Sequence, residues 1–269
     1  LITKRTRAIM PVHFAGAPCQ LDAIYDLART HALAVIEDAA HATGTRWHEQ
    51  HIGSHQRGPH DCAIFSFHPS KNITTGEGGM ITCHDAELAA RLKLSRFHGI
   101  RKDAWKNHSR SGRDVYQVEF PGRKYNLTDL QAVIGVHQLQ QLSQFNAQRT
   151  QLALRYHQQL DPNGIVRPLA LPSATDTTHA WHIFVVVIAA HQPHLTRDVV
   201  VAALEAQGIG TALHFPPVHR QAYYAKNNPV GSLPISEDIG ERLLSLPLFP
   251  GMTNDDVDRV AAVLNQLKN

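Results

Sequence analysis

The stretch Ala63-Ile-Phe-Ser-Phe-His-Pro-Ser-Lys71-Asn-Ile-Thr74 decides which fold and which chemistry are expected of this chain. Its apolar run, Ala63 to Phe67, predicts a short buried strand. Pro69 ends that strand because proline cannot donate to a sheet ladder. Lys71 therefore follows a strand end, where a lysine is either an exposed surface charge or an amine held for covalent chemistry.

A second strand ends in a carboxylate. Ala34-Val-Ile-Glu-Asp38 is apolar up to its two acids and is followed by small residues and His41. Lys71 lies 33 residues after Asp38 (71 − 38), about one strand–connection–strand unit. Open α/β sheets bind ligands at the carboxyl ends of strands, so both side chains are predicted at one edge. A lysine able to form a Schiff base and an acid able to face a pyridinium nitrogen suit pyridoxal phosphate chemistry.

Both motifs resemble those of a known family. Glu37-Asp-Ala-Ala-His41-Ala and Ser66-Phe-His-Pro-Ser-Lys71-Asn are similar to the paired motifs of the DegT–DnrJ–StrS sugar-nucleotide aminotransferases. The likeness runs from about His13 to the end of the chain. Four later stretches extend it: Lys124-Tyr-Asn-Leu-Thr-Asp129, His179-Ala-Trp-His182, Gly208-Ile-Gly-Thr-Ala-Leu-His214-Phe and Leu246-Pro-Leu-Phe-Pro250.

The resemblance implies an α/β chain with the type I fold of pyridoxal-phosphate-dependent transferases. It predicts the C-terminal part of the large cofactor-binding domain over residues 1–143 and a small C-terminal α+β domain over residues 144–269. Family members carry a long preceding segment, with the glycine–serine or glycine–threonine turn that holds the cofactor phosphate. The resemblance therefore implies an N-terminally truncated large domain, and low cofactor occupancy is expected of this chain alone.

The resemblance assigns catalysis to Lys71 and Asp38. Lys71 would hold the cofactor aldehyde and, once freed by the amino donor, would move the proton at the substrate carbon. Asp38 would stay ionised and keep the pyridine nitrogen protonated. His41 would lie close to the cofactor ring, and its alternative is a histidine satisfied in the core. A relative with histidine in place of the lysine performs dehydration, and Lys71 argues against that reaction.

Four further residues are implied in binding. Ser66 would point to the cofactor phosphate, and Asn126 would reach the phosphate of the neighbouring subunit's cofactor. Their alternatives are a serine packed in a strand and a turn asparagine before a helix capped by Thr128. His182 and His214 would line the sugar-nucleotide pocket.

The resemblance also implies substrates and partners. They are a UDP-linked 4-keto pentose as amino acceptor, glutamate as donor with 2-oxoglutarate as its product, and a homodimer with shared active sites. Two alternatives stay open. One is an aminotransferase for another nucleotide-linked keto sugar, and the other is a truncated, catalytically inactive remnant that forms dimers.

Composition and charge bear on other classes of protein. The 269 residues can bury a sizeable core, and 43% hydrophobic with 18% charged residues are ordinary for a soluble chain. A net charge of +3 is too small to argue for nucleic acid. The longest apolar run, Ile183 to Ala190, is far shorter than the roughly 18 residues of a membrane span. Three cysteines without paired spacing favour a reducing cytoplasm.

Nineteen histidines raise the question of a metal site. His48-Glu-Gln-His51 places its histidines three apart, not the four of the zinc-protease helix motif. His191 and His194 flank Pro193. Neither pair has a third ligand at a suitable spacing, so no metal is expected.

Periodicity and capping residues predict the remaining elements. Residues 97–124 show no period, and their excess of basic side chains suits either a diphosphate or a solvated loop. Helices are predicted at residues 21–30, 86–94, 129–160 (as one helix or two), 196–207, 236–244 and 253–267. Strands are predicted at residues 7–13, 34–37, 79–83, 179–188 and 211–215, with a hairpin at 45–54.

Overall fold

The computed structural model describes residues 1–100, 117–170, 176–189 and 195–267. The chain divides into two compact units. The first is Leu1–Phe14, Pro18–Leu142 and Ala174–Thr178, and the second is Ala15–Ala17, Ser143–Ser173 and His179–Asn269. The middle of the basic segment 97–124 lies outside the described residues, as does the pair His191 and His194.

The first unit opens with a β–α–β arrangement, as predicted. Its elements up to residue 95 are β1 (Ala8–Ile9), α1 (Leu21–Thr30), β2 (Ala34–Asp38), β3 (Arg46–Trp47), β4 (Gln50–His51), β5 (Cys62–Ser66), β6 (Gly79–Thr82) and α2 (Ala86–Ser95). Asp85 caps α2 by accepting a hydrogen bond from the Leu88 N–H at 2.6 Å. The strand predicted at residues 7–13 is shorter, because Pro11 has no N–H to donate. Beyond it, Val12 makes one parallel bridge to Asp38.

Four strands form a sheet in the order β1-β2-β5-β6. The first three run parallel, with Asp38 opposite Ile64, and β6 returns antiparallel to β5. Parallel neighbours end at the same edge of a sheet, so the end of β2 at Asp38 and the end of β5 at Ser66 lie side by side. The prediction that the two motifs follow neighbouring strands is confirmed.

Helix α1 packs on this sheet through its apolar stripe. Leu21, Tyr25 and Ala28 are buried at the spacing of an amphipathic helix. They join Val35 of β2 and Ala63 of β5 in one hydrophobic core. This core supports the strand ends that carry the two motifs.

The predicted hairpin at residues 45–54 is confirmed as the antiparallel pair β3 and β4. Its turn residues, His48 and Glu49, have left-handed backbones with φ of 46° and 61°. Positive φ at both positions is typical of a type I′ turn, whose twist matches that of paired strands.

A single continuous helix, α3 (Asp129–Gln159), follows, which decides between the one helix and the two helices that the sequence left open. Thr128 caps it as predicted, because Thr128 Oγ1 accepts from the Gln131 N–H at 3.3 Å. Gln131 Oε1 accepts in return from the Thr128 N–H at 3.0 Å, which completes a capping box. Like the other helices in the described part of the chain, α3 is not apolar enough to cross a membrane.

The remaining elements follow α3. They are β7 (Val166–Pro168), β8 (Thr177–Thr178), β9 (Phe184–Ile188), α4 (Arg197–Glu205), α5 (Ala222–Asn227), α6 (Pro234–Arg242), β10 (Leu243–Leu246) and α7 (Asn254–Gln266). In the second unit, antiparallel strands pair in the order β10-β9-β7. Tyr156 of α3 stacks on Phe184 of β9 with ring centroids 4.6 Å apart, at the centre of this unit's core. Thr196 and Thr253 cap α4 and α7 as predicted.

The strand predicted at residues 179–188 is wrong in its first half, because β9 begins at Phe184. Trp181 has a left-handed backbone with φ of 47°, which a strand does not accommodate. The Trp181 N–H donates to His179 Nδ1 at 2.7 Å, and the His182 N–H donates to Ala15 O at 2.9 Å. The segment therefore satisfies its backbone outside the sheet.

Two other predictions in the second unit need correction. The segment 211–215 is not a strand, since it contributes one bridge, in which Ala212 and Ser245 exchange N–H···O bonds. The helix predicted at 236–244 begins earlier, at Pro234, and has no hydroxyl cap. Proline suits a first helical turn because an N–H there has no helical partner. Leu243–Leu246 instead form β10, which is buried throughout against β9.

Candidate active site

Asp38 is half-buried at the end of β2, and its backbone is hydrogen-bonded to the segment that follows β1. Its N–H donates to Pro11 O at 2.8 Å, and its carbonyl accepts from the His13 N–H at 3.0 Å. The carboxylate is oriented by the turn that follows, because Oδ1 accepts from the Ala40 N–H at 3.0 Å. The acid is therefore held at the carboxyl end of its strand.

The preceding residue, Glu37, anchors a fully buried network. Glu37 Oε2 lies 2.9 Å from His13 Nε2, and Glu37 Oε1 accepts from the Tyr25 hydroxyl at 2.8 Å. His13 Nδ1 accepts from the Cys19 N–H at 3.0 Å, so a neutral His13 carries its proton on Nε2 and donates to Glu37. Burial and the Glu37 charge raise the pKa of Tyr25 and raise that of the Cys19 thiol to about 11.

This network was not predicted from the sequence, where Glu37 entered only as part of a motif. It fixes the segment that bonds to Asp38, because His13 contributes both its side chain to Glu37 and its backbone N–H to the Asp38 carbonyl. The one signal in the sequence that could have pointed to it is an acid inside an apolar strand, one position before the predicted catalytic acid, since a buried carboxylate needs partners.

Lys71 lies in the connection between β5 and β6, which is held by its own hydrogen bonds. The Phe67 N–H donates to Gly78 O at 2.9 Å, and the Phe67 carbonyl accepts from the Thr75 N–H at 3.0 Å. The Lys71 N–H donates to His68 O at 2.9 Å. A Cβ at Gly78 would collide with the Thr75 side chain, which explains a glycine there.

The first half of α3 also holds this connection. Gln131 Nε2 donates to Glu77 O at 2.8 Å, and the Thr74 N–H donates to Gln138 Oε1 at 3.4 Å. These contacts bracket the residues between Lys71 and β6. The lysine is therefore carried on an ordered turn.

Lys71 and Asp38 interact electrostatically at the same edge of the sheet. Burial lowers the pKa of the half-buried Lys71 amine, and the nearby Asp38 carboxylate partly offsets this by raising it. A lysine with a lowered pKa and a carboxylate close enough to act on its charge are the two groups that suit pyridoxal phosphate. The two residues present in the first unit thus fit the cofactor that their motifs predict.

The other predicted cofactor residues of the first unit lie in varied surroundings. The His41 ring is half-buried, 6.0 Å from the Phe14 ring between centroids. Ser66 Oγ, at the end of β5, accepts from the His68 N–H at 3.4 Å. Asn126 is exposed, in the approach to α3. The roles of these three residues stay predictions.

The two predicted sugar-nucleotide residues, His182 and His214, lie in the second unit. His182 is buried, and its carbonyl accepts from Arg149 Nη1 at 3.1 Å. His214 is half-buried, and its Nδ1 lies 2.8 Å from Ser245 Oγ. Their roles in binding also stay predictions.

Arg149 is a buried cation that sequence reasoning missed. Its Nη1 donates to the carbonyls of Trp181 at 3.2 Å, His182 at 3.1 Å and Leu248 at 2.8 Å. Burial lowers the pKa of Arg149 to about 10. Nothing in the sequence around it distinguishes this arginine from a surface one.

Among the residues that the structure describes, no group of three or more acidic, histidine or cysteine side chains has a metal-binding arrangement. His48 instead lies 2.7 Å from the Asp22 carboxylate, at the surface.

Residues 1–265 match the model of the DegT/DnrJ/EryC1/StrS aminotransferase family. The chain belongs to this family. The match confirms the family inferred from the paired motifs, and with it the mixed α/β fold of sugar aminotransferases.

Solved structures agree with this membership. DesV of S. venezuelae, described in complex with a ketimine intermediate, is 35% identical, with a TM-score of 0.83 over 98% of this chain and 66% of its own. PseC of Helicobacter pylori, an aminotransferase involved in pseudoaminic acid biosynthesis, is 26% identical, with a TM-score of 0.87 over 99% of this chain and 68% of its own. DesI, described with its TDP-sugar product, is 27% identical, with a TM-score of 0.81 over 98% of this chain and 63% of its own. The chain thus spans about two thirds of these relatives.

Proposed function

We propose that this chain supplies Lys71 and Asp38 to the active site of a pyridoxal-phosphate-dependent aminotransferase acting on a nucleotide-linked keto sugar. The observation that carries the proposal is the parallel pairing of β2 and β5, which brings Asp38 to the sheet edge where the connection carrying Lys71 begins. The electrostatic effect of Asp38 on the half-buried Lys71 amine agrees with this placement. The ketimine described for DesV and the TDP-sugar described for DesI support the same chemistry and substrate class.

When bound, pyridoxal phosphate supplies an electron sink for charge that develops at the substrate carbon. Lys71 would hold its aldehyde, Asp38 its ring nitrogen, and His41 would lie along the ring. Ser66 would contact the phosphate, and Asn126 would reach the cofactor of a second copy in a homodimer.

The residues of this chain have distinct tasks in transamination. Because its pKa is lowered, the Lys71 amine is neutral more often than that of an ordinary lysine at the same pH. The neutral amine can take a proton from the substrate carbon. Asp38 supplies a negative charge, and the hydrogen bond from the Ala40 N–H orients its carboxylate. The hydrogen bonds of Glu37 to His13 and Tyr25 hold the segment around His13 in place next to Asp38.

The specific substrate pair we propose is a UDP-linked 4-keto pentose and glutamate. The products would be UDP-4-amino-4-deoxy-L-arabinose, for lipid A modification, and 2-oxoglutarate, in the cytoplasm. The support is the set of later motifs, including those that contain His182 and His214. The alternative, another nucleotide-linked keto sugar, is favoured by the pseudoaminic acid and TDP-sugar relatives.

Borohydride reduction of the chain with pyridoxal phosphate, followed by tryptic peptide mapping, tests the assignment of Lys71. We expect the label on Lys71, where it also blocks cleavage by trypsin, and a weaker label in Asp38→Asn. Asp26→Asn, on the exposed face of α1, is the matched control. Label spread over other lysines, with none on Lys71, would favour the inactive remnant. Turnover with glutamate across UDP- and dTDP-linked keto sugars would then decide the substrate.

A further inference from the structure

Two cysteines face each other across β5 and β6. The register of this antiparallel pair runs from Ser66 opposite Gly79 to Ala63 opposite Thr82. One further step along the same register places Cys62 opposite Cys83. Both thiols are free and partly accessible to solvent.

The hydrogen-bond pattern of the hairpin brings these two positions close together. The Phe67 N–H donates to Gly78 O at 2.9 Å, so this pair belongs to the hydrogen-bonded set. Hydrogen-bonded and non-hydrogen-bonded pairs alternate, which makes Cys62 and Cys83 a non-hydrogen-bonded pair. Such pairs have Cα atoms about 4.5 Å apart, within the span of roughly 4.4–6.8 Å that a disulfide bridges.

The pair also lies on a partly exposed face of the sheet. Directly opposed residues point to the same face, and successive residues alternate, so the cysteines share their face with Ile64 and Ile81. These isoleucines are 39% and 42% exposed. Burial raises the pKa of Cys62, and Cys83 raises it further, as expected of neighbouring thiols. Because both cysteines are partly exposed, a small oxidant can reach this pair.

We propose that Cys62 and Cys83 are a redox modification site that closes into a cross-strand disulfide on reaction with a low-molecular-weight disulfide such as glutathione disulfide. One cysteine thiolate attacks the oxidant, forms a mixed disulfide and releases one glutathione thiolate. The second cysteine thiolate then displaces the bound glutathione. Two protein thiols are oxidised, and one glutathione disulfide is reduced to two glutathione thiols.

The bond would close a ring around the connection that carries Lys71, because residues 62 and 83 flank the hairpin on both sides. A reversible disulfide of this kind is compatible with a reducing cytoplasm, where disulfides are transient and redox-sensing. The proposal rests on the geometry of β5 and β6 and does not depend on the function of Lys71.

Oxidation of the native chain with glutathione disulfide, followed by alkylation and non-reducing tryptic mapping, tests the proposal. Trypsin cleaves after Lys71, so a Cys62–Cys83 bond joins the peptides 58–71 and 72–91. We expect this linked pair, with the loss of two alkylatable thiols and recovery on addition of dithiothreitol. Cys19→Ser, in which the third cysteine is absent, should give the same product.

Two variants and a denatured sample complete the test. Cys62→Ser and Cys83→Ser should each stop at a mixed disulfide with glutathione. Chain oxidised in urea should distribute its bonds among all three cysteines. The proposal is overturned if the native chain gives only mixed disulfides, links Cys19 instead, or yields the 62–83 bond no more selectively than the denatured chain.

Discussion

Asp38 raises the pKa of the Lys71 amine, and burial lowers that pKa by a larger amount. Removal of the carboxylate therefore leaves burial unopposed. We expect Asp38→Asn to lower the pKa of Lys71, so that the neutral amine appears at lower pH. The pH dependence of Lys71 acetylation, followed by mass spectrometry of its tryptic peptide in the cofactor-free chain, measures this shift. Asp26→Asn should leave the profile unchanged, and a profile in Asp38→Asn that moves to higher pH would contradict the coupling.

Tyr25→Phe tests the buried network behind the strand end. The substitution removes the hydroxyl that donates to Glu37 Oε1 and leaves that oxygen buried without its donor. We expect the free energy of unfolding to fall by about 1–3 kcal/mol. Urea denaturation measures the loss, and Tyr223→Phe, on an exposed tyrosine, is the matched control. Equal stability of both variants would mean that the Glu37 hydrogen bond contributes nothing.

The strand ends and helices around Lys71 could be predicted because their signals are local. The apolar stripe of α1 recurs every three or four residues, and Asp85, Thr128 and Thr253 each cap a helix by bonding an N–H three residues on. Proline then marks where β5 ends. The juxtaposition of Asp38 and Lys71 required only that neighbouring parallel strands end together.

The features that the sequence did not predict depend on contacts between residues far apart in the chain. His13 and Tyr25 meet Glu37 only after β1, α1 and β2 have packed, and neither shows a pattern of its own. Trp181 lies two residues before an apolar run that begins at Ile183 and is typical of a strand, yet its left-handed backbone keeps it out of the ladder. A left-handed backbone of this kind is stabilised by hydrogen bonds to the surrounding structure, which cannot be read from the sequence.

Arg149→Met tests the buried cation of the second unit. Methionine keeps much of the volume but leaves the carbonyls of Trp181, His182 and Leu248 without their shared donor. Because the lost bonds involve a charged donor, we expect the free energy of unfolding to fall by about 3 kcal/mol. Urea denaturation beside Arg167→Met, at an exposed arginine, measures the difference. A loss no larger than that of the control would show that these carbonyls are satisfied in other ways.

Glu237 is the acid of the second unit whose pKa is most clearly depressed, to about 2 from 4.5. The largest cause is His219, whose Nε2 lies 2.9 Å from Oε1, followed by the Leu233 N–H, also 2.9 Å from Oε1. Arg220 Nη2 and Ser232 Oγ face Oε2 at 3.0 Å and 3.4 Å. All four groups favour the ionised carboxylate.

A depressed pKa links this carboxylate to acid unfolding. The folded state holds Glu237 ionised where the unfolded chain would bind a proton, so its stabilisation is complete above 4.5 and is lost as pH falls towards about 2. We expect Glu237→Gln to be less stable than the wild type at neutral pH and to approach it as the solution is acidified through this window. Urea denaturation at a series of pH values measures the gap, with the exposed Glu205→Gln as control. A gap that stays constant or widens with acid would show that Glu237 acts through shape and not through its charge.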